Sequence, residues 1–150
     1  MNDKRYYAPV ELIKIATQHA YCADHLLQNN KWLEGRQRET HDSLMSVMTL
    51  MYVAFEITLK AYLLHDHRPV KQPLKLSELL DLNRDLGFSH NDLILLKKLS
   101  QQQGFRKGVD YELWDDPQQF HVFCAEILDL YERLQEMMPL ELQRDYHIEN

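Results

Sequence analysis

Four small groups of side chains in this 150-residue sequence have the types and spacing to do chemistry. The first is Glu56 with Lys60, set in the otherwise almost wholly apolar run "MYVAFEITLKAYLLHDH". Charges four residues apart share one face of a helix and suit an ion pair. Left bare on so apolar a helix they would be costly to bury, and pairing with each other or with another helix offsets that cost. They are expected to mark a seam where this helix meets a polar crevice or a partner subunit, a structural or interface role ahead of ligand binding. The second group is two Cys–His steps, "CADH" (Cys22, His25) and "HVFC" (His121, Cys124). Two such pairs on neighbouring helices would make a Cys₂His₂ donor set for zinc. Cysteine is also among the most buried residue types, and both cysteines lie near apolar stripes, so no metal is expected. The third group, in "GFRKGVDYELW", sets Phe105, Tyr111 and Trp114 beside Arg106 and Lys107. Cations with aromatic rings suit gripping a base and its phosphate or anchoring a protein partner; the plainer reading is a loop pinned by its own aromatics. The fourth is His65 and His67 in "HDH", where a cation complements the end of a helix macrodipole. No phosphate loop, dinucleotide fingerprint or nucleophile elbow accompanies them.

The elements that would position these groups are helical. Pro9 is well placed in a first helical turn, and Ile13, Ala16, Ala20, Ala23 and Leu27 repeat at three and four, predicting a helix over residues 9–29. A second helix is predicted over 39–64. One of its stripes is Leu44, Val47, Met51, Phe55 and Tyr62; another is Leu50, Ala54, Ile57, Ala61 and Leu64. What remains is a thin seam of Asp42, Ser46, Thr49, Glu56 and Lys60, interrupted by Val53. A helix apolar nearly all round is buried on several sides, so this one is central to a bundle or shared between the core and a dimer interface. Two prolines in "HDHRPVKQP" break the pattern. A third helix is expected over 75–86 with Leu76, Leu79, Leu80 and Leu82 as its apolar set, stopped by Gly87. Ser89 with Asp92 reads as the start of a fourth, "HNDLILLKKLSQQ". A fifth begins at Asp116–Pro117 and runs to about Met138, with Phe120, Phe123, Cys124, Ile127, Tyr131 and Leu134 as its stripe; Pro139 ends it and leaves a polar tail over 139–150, or a short last helix.

No stretch alternates with the period of a strand, and 4 Gly and 5 Pro are too few for the many tight turns of a sandwich or barrel. The expectation is one all-α domain, an antiparallel up-and-down bundle of about five helices with its core over residues 10–138. A net charge of −6 and a pI of about 5.7 argue against a dedicated nucleic-acid binder, although eight histidines leave room for a local basic patch. Two cysteines make no disulfide framework. The start, "MNDKRYYAPV", has no apolar core of signal-peptide length, and no run approaches 18 uninterrupted apolar residues. A cytoplasmic chain without a membrane partner is expected.

With these elements in place, "AFEITLKAYLL" resembles the second-helix signature of the HEPN superfamily, small–Glu–apolar–Lys–Ala–apolar, carried here by Ala54, Glu56, Leu59, Lys60, Ala61 and Leu63. The Pro-containing link before a Leu-rich helix, "RPVKQPLKLSELLDL", and the Arg-bearing loop before the last long helix, "GFRKGVDY", are similar as well. The resemblance spans residues 10–135 and implies an all-α bundle that often dimerises. Active members are metal-independent endoribonucleases, many of them toxins, anti-phage effectors or parts of CRISPR machinery. Their pattern is Arg, four to six residues, then His: the His moves a proton of the RNA 2′-OH or leaving oxygen and the Arg offsets charge on the phosphate. In this chain the late-loop Arg is Arg106, and the positions for His hold Tyr111, Glu112 and Leu113. At the third helix, where members often carry His-Asp-Leu, the chain has Leu74, Lys75 and Leu76. Arg36 with His41 in "RQRETH" and Arg84 with His90 in "RDLGFSH" fit the spacing, where chance alone supplies about one match.

The resemblance therefore implies a non-catalytic, homodimeric binding or regulatory module of a bacterial defence or toxin–antitoxin kind, with a second copy, RNA or a cognate protein as partner and no cofactor. Arg106, Lys107, Tyr111 and Trp114 are its expected binding residues. The alternative is a metal-independent endoribonuclease using Arg36 and His41, or Arg106 with a His from elsewhere in the fold. A third reading is a plain helical protein-interaction domain outside that family.

Overall fold

A computed structural model of the chain describes the backbone of residues 8–29, 37–68, 75–102 and 116–149, and the side chains of 8–29, 43–68, 75–101, 116 and 118–144. Among these residues all regular structure is helical: α1 (Pro9–Gln28), α2 (Gln37–His65), α3 (Leu76–Leu82), a 3₁₀ turn (Arg84–Leu86), α4 (His90–Gln102), α5 (Pro117–Glu136) and α6 (Leu140–Glu149).

Helix α2 is the centre of the bundle. Between Leu44 and Leu64 only Ser46 and Thr49 are exposed, and Leu44, Val47, Met51, Ala54, Phe55, Leu59 and Ala61 have no accessible surface. Each such Leu, Met or Phe contributes about 1.5–3 kcal/mol relative to exposure. Covering so much of one helix takes several partners. α1 packs along it most extensively, α5 lies against it on another side, and α3 and α4 cover a third. α1 presents Ala16, Ala20 and Ala23 among its buried residues, and short side chains let two helix axes approach closely. The seam expected on α2 is there, but Leu50, Ile57 and Leu64, assigned by spacing to a core stripe, are half-buried residues that border it. By length and composition Ser43–His65 is also apolar enough to cross a membrane, and 56% of its 18-residue apolar window is buried inside the protein's own fold.

Polar groups inside the core tie α2 to its neighbours at fixed heights. Thr58 Oγ1 and Tyr131 Oη share a hydrogen bond of 2.9 Å, and the Tyr62 hydroxyl donates to the Leu134 carbonyl at 3.0 Å. Burial pushes the Tyr62 phenol far above its ordinary range, so it stays a neutral donor. The Tyr131 ring meets Phe55 edge-on, centroids 5.3 Å apart. Asn83, buried beyond the end of α3, donates to the Leu79 carbonyl at 2.8 Å. None of these groups is left unsatisfied in an apolar interior, where an unmade bond would cost about 1–3 kcal/mol.

The helix ends follow their local sequence. Asp116 caps α5 by accepting from the backbone N–H of Gln118 and Gln119 at 3.1 and 3.3 Å. Ser89 and Asp92 form a reciprocal box at the start of α4: Asp92 N–H donates to Ser89 Oγ at 3.1 Å, and Ser89 N–H donates to Asp92 Oδ2 at 3.2 Å. α2 closes on His67 in the left-handed region (φ 56), with His67 N–H donating to Leu64 O and Arg68 N–H to Leu63 O. That is a Schellman ending in which His occupies the position Gly usually takes.

Three expectations need correction. The third helix is shorter than its leucines suggest: it ends at Leu82, and the chain tightens into a 3₁₀ turn before Gly87, which holds φ 81. Leu82, the last residue of α3, is exposed. The tail after Pro139 is not merely polar, because it forms α6, packs on α1 and buries Leu142 in the same core as α1, α2 and α5. The bundle therefore has six α-helices among the described residues rather than about five.

Asp92 does more than cap. Its side chain is 7% exposed and takes both oxygens to Arg133 Nη1 on α5, at 3.0 and 3.2 Å. Arg133 also donates to Asp129 at 3.1 Å, and these carboxylates, Asp92 first, hold its guanidinium above its ordinary range. Asp92→Ala removes a cap and a charge-assisted pair together; urea denaturation is expected to show a loss of about 2 kcal/mol. The same truncation at the exposed neighbour Leu93 should cost less than about 0.5 kcal/mol. Equal losses at the two positions would show that Asp92 carries no special role.

Candidate functional site

The positions singled out by residue type are now placed one by one. Arg36, Arg106, Lys107, Tyr111 and Trp114 lie outside the described residues, so neither the aromatic cluster nor the Arg of the first Arg–His pair has a described position. His41 falls near the start of α2, with its side chain outside the described set. The second pair is not assembled: Arg84 sits in the 3₁₀ turn, 82% exposed and 3.9 Å from Asp81, while His90 is an exposed residue opening α4.

Glu56 and Lys60 pair with each other. Their charged ends are 4.0 Å apart and both side chains are 27% exposed. A pair at this spacing and exposure stabilises a helix by only about 0.3–0.5 kcal/mol. That suffices to explain two charges on the most buried helix: they occupy the one strip of it that water reaches.

The Cys–His steps do not converge on a metal. Cys22 and His25 are exposed on α1. Cys124 is buried, and its thiol donates to the Leu44 carbonyl on α2, Sγ to O 3.7 Å. Burial pushes that thiol up to about 12. Among the described residues no group of three or more His, Cys, Asp or Glu is placed to hold a metal ion. His65 stands 4.0 Å from Glu141 and joins the end of α2 to α6.

The feature that residue types did not announce is a groove between α4 and α5. It encloses about 470 Å³ and is lined by Ile94, Leu95 and Lys98 from α4 and by Val122, Phe123 and Glu126 from α5, with Gln118 and Gln119 at one end. Ile94 is 44% exposed and Val122 55%, whereas Phe123 beneath them is 5% exposed and part of the core. The groove's floor is thus core, and its walls carry large aliphatic side chains in water. Lys98 and Glu126 face the same opening and make no ion pair with any described residue. Asp92 and Arg133 bridge the same two helices, and Asp116 fixes the first turn of α5 beside the glutamines. The arrangement suits binding of an apolar side chain or helix face with a charged group at each rim.

No protein-family model, curated protein or solved structure matches this chain.

The thiol geometry gives a direct measurement. In native protein at neutral pH a disulfide-exchange reagent should titrate Cys22 promptly and leave Cys124 unreacted, because a buried thiol held protonated is a poor nucleophile. Both should react in denaturant. Rapid native modification of Cys124, mapped by mass spectrometry, would contradict its placement against Leu44.

Proposed function

We propose that this chain is an interaction module, an up-and-down helical bundle of the HEPN-like kind that its α2 segment resembles, which works by offering the α4–α5 groove to a protein surface and not by cutting RNA. The observation that carries the reading is the pair Ile94 and Val122, large aliphatic side chains about half exposed across one groove. Tyr21, Leu82, Leu93 and Leu140 are also exposed, but none of them lines a groove with a core floor as Ile94 and Val122 do. Adjacent exposed aliphatics over a cavity with a core floor are a common mark of a binding surface. Among the described residues the titratable groups whose protonation is clearly displaced, Tyr62, Cys124 and Arg133, all serve packing or helix-to-helix bonding described above.

Two measurements test this. At sub-micromolar protein an apolar fluorescent dye should bind the groove, and Ile94→Asp with Val122→Asp should weaken that binding by at least about tenfold while circular dichroism is unchanged. Undiminished dye binding by the double variant would remove the groove from the reading. Incubation of the purified chain with RNA should give no cleavage beyond buffer. Robust cleavage lost on Arg36→Ala or His41→Ala would reverse the proposal in favour of the endoribonuclease.

A further inference from the structure

We infer that the α4–α5 groove receives an amphipathic helix from a different protein, one whose aliphatic stripe has acidic side chains along one edge and basic side chains along the other; this rests on the groove being the binding surface. The walls set the terms. Asp92 of α4 is bonded to Arg133 of α5. Beyond that bridge, residues 94–98 of α4 share the groove with residues 118–126 of α5. Numbers rise along one wall and fall along the other, so the two helices run in opposite directions. Lys98 stands six residues from the bridge and Glu126 seven, about 9 and 10 Å along their helices. The lining thus carries one cation and one anion at similar heights on opposite walls, and neither pairs with a described residue. Arg133 adds nothing to this balance: Asp92 and Asp129 hold it, and it is not part of the lining.

Three features select the occupant. The first is its backbone. An extended peptide would bring unpaired N–H and C=O groups over walls whose own backbone groups are used inside helices. Even the first-turn N–H groups of Gln118, Gln119 and Phe120 are taken by Asp116. A helix satisfies its own backbone and needs from the groove only a place for side chains. The lining of α5 from Gln118 to Glu126 is about 12 Å long, so it receives roughly two helical turns. The second feature is charge. A polyanion gains from Lys98 what it loses to Glu126, whereas a helix with one acidic and one basic edge meets both. Its acidic edge faces Lys98 and its basic edge Glu126, which fixes the direction in which it lies. The third feature is what this chain itself can offer. Its exposed large apolar side chains among the described residues are Tyr21, Leu82, Leu93, Ile94, Val122 and Leu140. No two of them stand three or four residues apart, so no described helix presents an outward aliphatic stripe, and the helix comes from another protein.

The test uses the full chain and three synthetic helical peptides of about four turns, all with the same leucine stripe at three- and four-residue spacing. One carries glutamates along one edge and lysines along the other, one carries glutamates along both edges, and one carries lysines along both. Fluorescence anisotropy is read at about 0.15 M salt, where long-range attraction to a chain of net charge −6 is screened. Wild type should bind the mixed peptide about threefold or more tighter than either of the others. Lys98→Glu should move the preference to the all-lysine peptide and Glu126→Lys to the all-glutamate peptide, each again by about threefold or more. A preference gained by a variant does not arise from misfolding. Equal binding of the three peptides by wild type, or an order of preference that both substitutions leave unchanged, overturns the inference. So does a wild-type dimer in the ultracentrifuge that Ile94→Asp dissociates and the mixed peptide does not, which would give the groove to a second copy. Dye binding separates the two levels. Wild type that binds none of the peptides, while its dye binding is still lost with Ile94→Asp and Val122→Asp, sinks the helix and keeps the groove. Dye binding indifferent to those substitutions sinks the groove itself.

Discussion

A single helix with hardly any water-facing surface dictates the rest of this fold. From Leu44 to Leu64 the side chains of α2 are apolar around most of its circumference, and a helix of that kind must find cover on several sides at once. Covering it takes α1 along one flank, α5 along another and the shorter α3 and α4 on a third. The alanines of α1, the aromatic stripe of α5 and the leucines opening α3 each answer to one side of α2. The Glu56–Lys60 pair marks the strip that none of them covers.

Apolar cover alone would allow α2 to slide along its partners, since Leu against Leu is nearly as good one turn on. The buried hydroxyls remove that freedom. Thr58 reaches Tyr131 and Tyr62 reaches the Leu134 carbonyl, two bonds one turn apart on both helices. A shift of one turn would strand both phenols in the core without partners, at a cost well above what the shifted apolar contacts recover.

Much of this was legible from local pattern, and the reasons for the failures are physical. The α1 and α5 stripes repeat at helical spacing over about four turns, and every residue assigned to them is buried. The Ser89–Asp92 and Asp116–Pro117 starts depend on bonds within three residues and came out as their chemistry suggests. Leu82 was misplaced because, six residues on from Leu76, it stands about 120° around the helix axis from it and off the face that Leu76 and Leu79 bury. α6 has a weak apolar period, so its helicity depends on Leu142 finding the core. Spacing separates the two cysteines: Cys124 belongs to the α5 stripe and is buried, whereas Cys22 stands beside the α1 stripe and is exposed. The candidate site suffered most. Ile94 and Val122 carry no chemical signal in the sequence, and their meeting across one groove depends on how α4 and α5 pack, which no local rule reports. Asp92 and Arg133, 41 positions apart, meet only in space.

That meeting has a mechanical result. Asp92 accepts from the Ser89 N–H at the start of its own helix through Oδ2 and from Arg133 on α5 through both oxygens, so one buried carboxylate both starts α4 and fastens it to α5. The channel bordered by Ile94 and Val122 is hinged at neither wall, and its width is set before anything arrives. Whatever settles there meets a surface that needs no reordering, so rigid-body docking is the natural mode and little of the contact energy goes into arranging the receiving side. Asp92 is not among the channel's lining residues, yet it fastens together the two helices that form its walls.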